Sequence, residues 1–420
     1  MNPLGTRKGR TVLFAFLYFS EGAPIGFIWW ALPTTLRSVG VPVDQITLMT
    51  STLVLPWMFK FVWAPLVDLT RLQRWTVRSW ILTMQGIMGL SLFPLLFLDS
   101  WHTISSLYPF LLIHAVAAAT QDAAIDALAI SAVPEHERGS VNGWMQVGML
   151  AGRSLLGGGA LMMSRHLGEH ATVLLLIVAI WSSSLLVLIS REAGGEESGP
   201  HEFSVRLQDL GGRLRRAFTE KVTWLGLLFA LVGGAAYEAV GAVAGPFLID
   251  NGFSTEEAGS FFAIPSVLAM IGGALVGGYA ADRWGKRRSV AFSLVCTIVT
   301  VWVLAASSAE GPERSPWTIA ILTLLYLCIG TFTASSYALF MDLTSPRLGA
   351  TQFSAFMGTT NACESWSTFA VGRAVRGLGY PLAFLLLTIP SVAALAIIKH
   401  LKARPRLHTS GPDATSHPEP

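Results

Sequence analysis

The chain has 420 residues, of which 52% are hydrophobic and 13% charged, with a formal net charge of +3. Soluble domains carry about 25% charged residues, so this composition excludes an ordinary water-soluble enzyme or nucleic-acid-binding domain. Each charge placed in a bilayer core costs roughly 2.5–3.5 kcal/mol on insertion scales, which explains why so few are present.

At the N-terminus Arg7, Lys8 and Arg10 precede an apolar run that begins at Thr11. No small-residue cleavage site follows, and the run continues through Ile25–Leu32, so it predicts a retained first helix rather than a removed signal. Apolar segments are expected at about 11–33, 45–67, 79–98, 104–133, 140–163 and 170–190. After a polar connection they resume at about 222–248, 256–280, 289–307, 317–344, 350–372 and 380–399. Each is near the roughly twenty residues that a helix needs to cross the hydrocarbon. Lipid cannot satisfy open backbone groups, and barrel-type alternation is missing, so helices are expected and not strands.

The fold class that follows is all-α and polytopic, with twelve transmembrane helices in two six-helix bundles. The expected divisions are a first bundle over 1–190, a cytoplasmic linker over 191–221, a second bundle over 222–400 and a disordered tail over 401–420. The linker holds Gly194–Gly195, Glu196–Glu197 and a basic run at Arg213–Arg216. Cys296, Cys328 and Cys363 all fall in apolar stretches and read as packing residues, not as a disulfide framework or metal site.

Orientation follows from the basic residues. Only Arg37, Arg165, Arg314, Arg373 and Arg376 fall on one side, and Lys60 and Arg153 lie within spans. All other Lys and Arg share a side with the two termini, which predicts that both termini are cytoplasmic in a multi-pass protein of the inner membrane. The halves also match at an offset of about 210–214 residues: Leu32-Pro33 with Gly245-Pro246, Asp68 with Asp282, and Gly148 with Gly358. A parallel repeat of this kind places a substrate site between the halves near the midplane.

Ionisable residues inside spans are functional-site hypotheses by default. Asp122 and Asp126 are four residues apart and share a helix face. Asp122 lies twelve residues before Pro134, roughly 18 Å along the axis at 1.5 Å per residue and so near mid-bilayer. Two carboxylates so placed repel if both are ionised, an arrangement suited to proton handling. The competing reading is a structural ion-pair set with Lys60. Arg153 also falls near the midplane, where its planar fork can hold a substrate carboxylate or phosphate, or pair with Asp122. In the other half Glu364 falls at matching depth. Glu21 and Glu238 lie within the first helix of each half. Trp29, Trp30 and Tyr18 accompany Glu21 and are expected either to stack on an amphiphilic ligand or to face lipid. His114 is expected to pack in the core.

The run Gly278-Tyr279-Ala280-Ala281-Asp282-Arg283-Trp284-Gly285-Lys286-Arg287-Arg288 resembles the loop between helices two and three of each major facilitator half, with pattern G-x-x-x-D-R-x-G-[RK]-[RK]. The resemblance implies a conformational latch: Asp282 against a neighbouring helix N-terminus, Arg283 on an acid of another helix, with Arg287 in the same basic turn. Of the first-half counterpart only Asp68 is retained. A narrower resemblance is carried by Phe59-Lys60-Phe61-Val62-Trp63-Ala64-Pro65-Leu66-Val67-Asp68 and by Thr120-Gln121-Asp122-Ala123-Ala124-Ile125-Asp126-Ala127. Both look like runs of AmpG-type muropeptide permeases, whose wider relatives include siderophore permeases of the RhtX/FptX type and acetyl-CoA transporters. AmpG proteins are typically longer, and a compact chain is closer to the siderophore permeases.

The resemblance implies a secondary active transporter with alternating access. Glu21, Asp122, Asp126, Arg153, Glu238 and Glu364 are expected to bind protons or substrate, and Lys60, Asp68, Asp282, Arg283 and Arg287 to pair or gate. A muropeptide is the first expectation for substrate and an iron–siderophore complex the second. A phosphate-binding loop ending in Gly-Lys-Ser or Gly-Lys-Thr is missing, as is any His–acid cluster at metal spacing, so no cofactor or metal is expected. The expected partners are a small-molecule substrate, protons and the lipid bilayer. Neither nucleic acid nor an obligate protein partner is implied, and a membrane sensor or an intramembrane enzyme remains the alternative of another class.

Overall fold

The structure, a computed structural model, describes residues 2–60, 75–98, 103–190, 212, 218–309, 314–344 and 349–401. Among these the chain is helical throughout, and nine runs are long and apolar enough to cross a membrane. The first half contains α1 (Arg7–Ser38), α2 (Val43–Leu53, continuing at Leu55–Met58), α3 (Val77–Phe97) and α4 (Ile104–Ala132). It is completed by α5 (Glu135–Arg153, extended through Met162) and α6 (Gly168–Ile189). The second half contains α7 (Lys221–Asp250), α8 (Thr255–Trp284), α9 (Lys286–Ser307) and α10 (Pro316–Leu343). A continuous run, Gly349–His400, is broken at Gly379, where φ is 76°, into α11 (349–378) and α12 (380–400). Twelve helices result among the described residues. The expected linker at 191–221 and the tail after 401 fall almost wholly outside the described residues, as does Asp68 with the rest of its run from Phe61.

The repeat is visible in the turns. After α1, the N–H of Val41 bonds the carbonyl of Leu36 at 3.0 Å across Gly40, with φ of 90°. After α7, the N–H of Phe253 bonds Leu248 at 3.1 Å across Gly252, with φ of 81°. Only glycine enters this left-handed region at no steric cost. Gly168 and Gly379 likewise share nearly the same backbone geometry, φ 69° and ψ 171° against φ 76° and ψ 171°.

Glycines also decide how α1 meets α5. A side chain at Gly148 would run into the carbonyl of Ala15, and one at Gly152 into the backbone of Phe19 and Ala23. On the other face of the contact, Gly22 and Gly26 lie against the backbones of Met149 and Arg153. Small residues of this kind are how membrane helices gain close van der Waals packing in the absence of a hydrophobic drive between them. Both helices open into a π-helical turn as the contact continues, Phe27–Ala31 in α1 and Ser154–Gly158 in α5. Such turns are frequent at functional sites. Gln85 of α3 ties two helices of the first half together: it donates to Ser183 at 2.6 Å and accepts from Ser184 at 2.6 Å, both on α6.

The halves touch mainly toward the face opposite the chain's two ends. There Arg37 of α1 pairs with Asp250 of α7 at 2.7 Å, and Arg376 of α11 pairs with Asp44 of α2 at 2.6 Å. Deeper in, Ser154 donates to the carbonyl of Ala263 at 2.6 Å and Ser365 to that of Ser51 at 2.8 Å. Trp30 stacks on Phe262 of α8, with ring centroids 5.2 Å apart, so it faces neither lipid nor an open cavity as the sequence suggested. At the face bearing the chain's ends, the described ion pairs stay within one half: Arg10 with Glu137 at 2.7 Å and Lys286 with Asp342 at 2.5 Å.

The latch expected from Asp282 and Arg283 is arranged differently. Arg283 donates to the hydroxyl of Tyr279 one turn back on its own helix, at 2.7 Å, and not to an acid of another helix. Arg283 makes no ion pair among the described residues. Asp282 is exposed and makes no ion pair among the described residues. The bridging is done instead by Lys286 and by Arg287, whose guanidinium caps the end of α12 through the carbonyls of Ile398 and Lys399 at 3.0 and 2.6 Å. Cations at a helix C-terminus satisfy its orphan carbonyls.

The glycine contact is open to a direct check. Gly152→Val forces overpacking between α1 and α5 and lowers stability by about 1–3 kcal/mol, read as a reduced melting temperature in detergent micelles. Gly143→Ala, on the same helix with open space around the new methyl group, leaves the melting temperature unchanged or slightly raised.

Candidate functional site

The midplane charges gather where α1, α2, α4 and α5 of the first half face α7 and α11 of the second. α4 places Asp122 and Asp126 one turn apart on one face. The ammonium of Lys60, just beyond the Pro56 turn of α2, donates to both, at 2.6 Å to Asp122 and 2.9 Å to Asp126. Tyr18 of α1 completes the group by donating to Asp126 at 3.0 Å. The ion-pair set weighed against a purely proton-handling role is therefore present, and the pairing of Arg153 with Asp122 is not: Lys60 takes that carboxylate.

Glu21 sits one turn beyond Tyr18 and is 2% exposed. Its Oε2 is buried with no hydrogen-bond partner. The charges acting on it are Asp122, Lys60, Asp126 and Arg153, so it stands between the lysine-centred group and the arginine. Arg153 ends the regular part of α5. The close backbone contact with Gly26 fixes its Cα, and the π-helical turn after it redirects the helix. Its Nε is buried and has no hydrogen-bond partner. The acids acting on it are Glu364 of α11 first, then Glu21 and Glu238 of α7. The sequence placed Glu364 at the depth of Arg153, and in the fold it is the acid of the second half that acts most strongly on that guanidinium.

Aromatic groups lie beside the second-half acids. Trp29, in the π-helical turn of α1, is close to Glu364 and packs edge-on against Trp57 with centroids 5.9 Å apart. Tyr237 stands next to Glu238, and Tyr337 of α10 lies within the field of Glu238 and Arg153. His114 is packed away from the cluster, its Nδ1 3.1 Å from the carbonyl of Met88, as the core-packing reading expected.

Three participants were not singled out from the sequence. Tyr237 and Tyr337 carry no pattern that marks them. Gln121 is fully buried, and neither end of its amide has a hydrogen-bond partner. Its signal was available, since it stands inside the Thr120-Gln121-Asp122 run. Asp282, Arg283 and Arg287 lie at one end of the molecule and are not part of this cluster.

Chemically the site offers a cation already shared by two carboxylates, an unpartnered carboxylate oxygen, and a guanidinium with a free edge facing acids of the other half. Removing one partner from a buried ion pair leaves an uncompensated charge and costs about 3–5 kcal/mol. Lys60→Met is therefore expected to lower the melting temperature of the purified protein strongly. Combining it with Asp122→Asn restores part of the loss, because one of the two stranded charges is removed as well. A double variant no more stable than the single one contradicts the pairing.

Comparison with known proteins agrees with this architecture. The family model described as the Major Facilitator Superfamily matches residues 14–370. The protein named AmpG 4 of Rickettsia conorii is 23% identical over 396 residues, covering 91% of this chain and 94% of its own. The anhydromuropeptide permease of Escherichia coli strain K12 is 25% identical over 413 residues, covering 89% of this chain and 79% of that one. Among solved structures, a D-xylose-proton symporter superposes with a TM-score of 0.72 over 94% of this chain and 97% of its own. At 10% identity it shows a shared fold alone.

Proposed function

The chain belongs to the Major Facilitator Superfamily as an AmpG-like, multi-pass membrane transporter of small molecules, and from that premise we propose that it imports a muropeptide-like solute across the inner membrane, coupled to protons. The observation that carries the reading is Arg153, a half-buried side chain whose buried Nε is unpartnered and on which acids of both halves act. A planar fork in such a position suits a substrate carboxylate, and peptide-bearing sugars carry carboxylates. The name of the Escherichia coli relative supports a muropeptide as the first substrate to try. Length is no objection, since the chain covers 94% of the AmpG 4 protein.

Proton coupling is supported by the charge balance of the cluster. Among the described residues, Glu21, Asp122, Asp126, Glu238 and Glu364 are accompanied by the cations Lys60 and Arg153. In a low-dielectric site an excess of carboxylate is compensated by protons or by a cationic group of the ligand. In the proposed cycle a proton taken up by an acid of the cluster lowers the competition for Arg153, and the substrate carboxylate then occupies the guanidinium. The halves are taken to run over 1–190 and 222–400, joined by the 191–221 linker, with both termini cytoplasmic. On that orientation the pairs Arg37–Asp250 and Arg376–Asp44 join the halves at the outer end. Opening to the outside breaks those pairs.

The test is uptake of labelled anhydromuropeptide into proteoliposomes, with and without an inward proton gradient. Wild type is expected to concentrate the solute only with the gradient. Arg153→Ala removes a charge-assisted contact of ~1.5–3 kcal/mol and lowers uptake about 10–100-fold, with Arg153→Lys intermediate. Asp122→Asn is expected to abolish dependence on the gradient. Uptake by wild type that ignores both pH and the gradient would sink the symport. A folded protein that carries no muropeptide but restores growth on chelated iron would replace the substrate with a siderophore.

A further inference from the structure

At the closed face two hollows meet at Pro381, near the start of α12. The first, about 400 Å³, is polar and is lined by Arg37, Phe247, Asp250, Asn251, Ser308 and Tyr380. The second, about 390 Å³, is apolar and runs between the last turns of α9 and the first turns of α12, past Trp302, Ala306, Leu378, Leu382 and Leu385. Ser308 in one hollow and Ala305, Ala306 and Ala309 in the other belong to the same turns at the end of α9, so the two form one crevice. Each is of the size that small-molecule sites occupy, ~300–1,000 Å³.

The apolar part opens outward. Trp302, Leu378 and Leu382 are 46%, 50% and 52% exposed, and in a membrane this surface meets acyl chains. Its floor is fixed by the indole of Trp302, which donates to Thr388 at 3.1 Å. The polar part lies at the helix ends, at the depth of headgroups. Here Arg37 and Asp250 face each other at 2.7 Å, with their side chains 27% and 22% exposed. Tyr380 donates to the second oxygen of Asp250 at 2.7 Å, and Arg37 donates to the carbonyl of Val41 at 3.2 Å.

We propose that this crevice is a binding site for a phospholipid with a primary ammonium headgroup, phosphatidylethanolamine in chemical type, drawn from the leaflet at the closed face. The occupant is chosen by charge complementarity. A cation and an anion side by side match a headgroup that carries a phosphate and an ammonium close together. The phosphate takes the guanidinium of Arg37, which keeps donors free after bonding Asp250 and Val41. The ammonium donates to Asp250. A choline headgroup has no N–H to donate, and a glycerol headgroup brings no cation, so both match only half of the site. The acyl chain occupies the apolar groove beside Trp302, which gives the lipid an advantage over any soluble zwitterion. Arg37 belongs to the first half and Asp250 to the second, so a bound headgroup spans the seam between them.

The experiment uses the full chain purified in detergent micelles, with retained lipid counted by native mass spectrometry and melting temperature followed in parallel. The probes are phosphatidylethanolamine, phosphatidylcholine, phosphatidylglycerol and tail-less phosphoethanolamine. Phosphatidylethanolamine is expected to be retained and to raise the melting temperature, with the other two lipids about tenfold weaker for want of one charge-assisted contact. Asp250→Asn is expected to erase the preference for ethanolamine. Ala306→Phe fills the groove from an exposed position, leaves the inter-half pair untouched, and is expected to abolish retention without loss of folding. Equal retention of the three lipids overturns the proposal, as does full retention by Ala306→Phe. An equal stabilisation by phosphoethanolamine alone overturns it in favour of a soluble ligand.

Discussion

A charge in hydrocarbon must be compensated where it stands, and the rest of this structure follows from how Lys60 meets that demand. Its ammonium is shared by Asp122 and Asp126, which ties the end of α2 to the middle of α4. Tyr18 then bonds Asp126 and draws α1 onto the same group. Because α1 is fixed there, the glycine-lined contact with α5 fixes Arg153 in turn. With Lys60 already occupied by the aspartates, Arg153 is left to the acids of the second half. The chain of contacts runs from one ammonium to the seam between the bundles without a gap.

The two ends of the molecule are held by different means. At the closed face, ion pairs and serine hydroxyls cross from one half to the other. At the opposite face the described cations bond within their own half, and Arg287 secures α12 to α9. Each half is therefore braced internally where the halves separate. Rigid-body rocking of one bundle against the other, the motion that repeat-built transporters use, needs that combination of stiff halves and breakable seam contacts.

Much of the fold could be read from the sequence because its signals are one-dimensional. Span length, the basic residues flanking each span and the repeat offset all lie along the chain, and the turns at Gly40 and Gly252 repeat in the backbone as the offset implied. Depth was partly legible: Arg153 and Glu364 were placed at one level, and Glu364 is first among the acids acting on Arg153. Azimuth was not. Nothing in the sequence says which side of α5 carries Arg153 toward Glu364 and away from Asp122, or that Trp30 turns to Phe262. The π-helical turns at Phe27–Ala31 and Ser154–Gly158 rotate the residues after them, so helical phase counted from the termini fails at the seam. The latch residues mislead for a related reason. A motif names residue types, and among the described residues Arg283 bonds Tyr279 of its own helix.

The lysine between the aspartates also bears on how the chain enters the membrane. Lys60 is synthesised 62 residues before Asp122. At roughly 5–20 residues per second, its ammonium reaches the bilayer several seconds before a partner exists. During that interval a cost of ~2.5–3.5 kcal/mol stands against releasing the second helix into lipid. The insertion machinery must then hold the first hairpin until the fourth helix arrives, so the early membrane commitment of this protein is a joint event of α2 and α4.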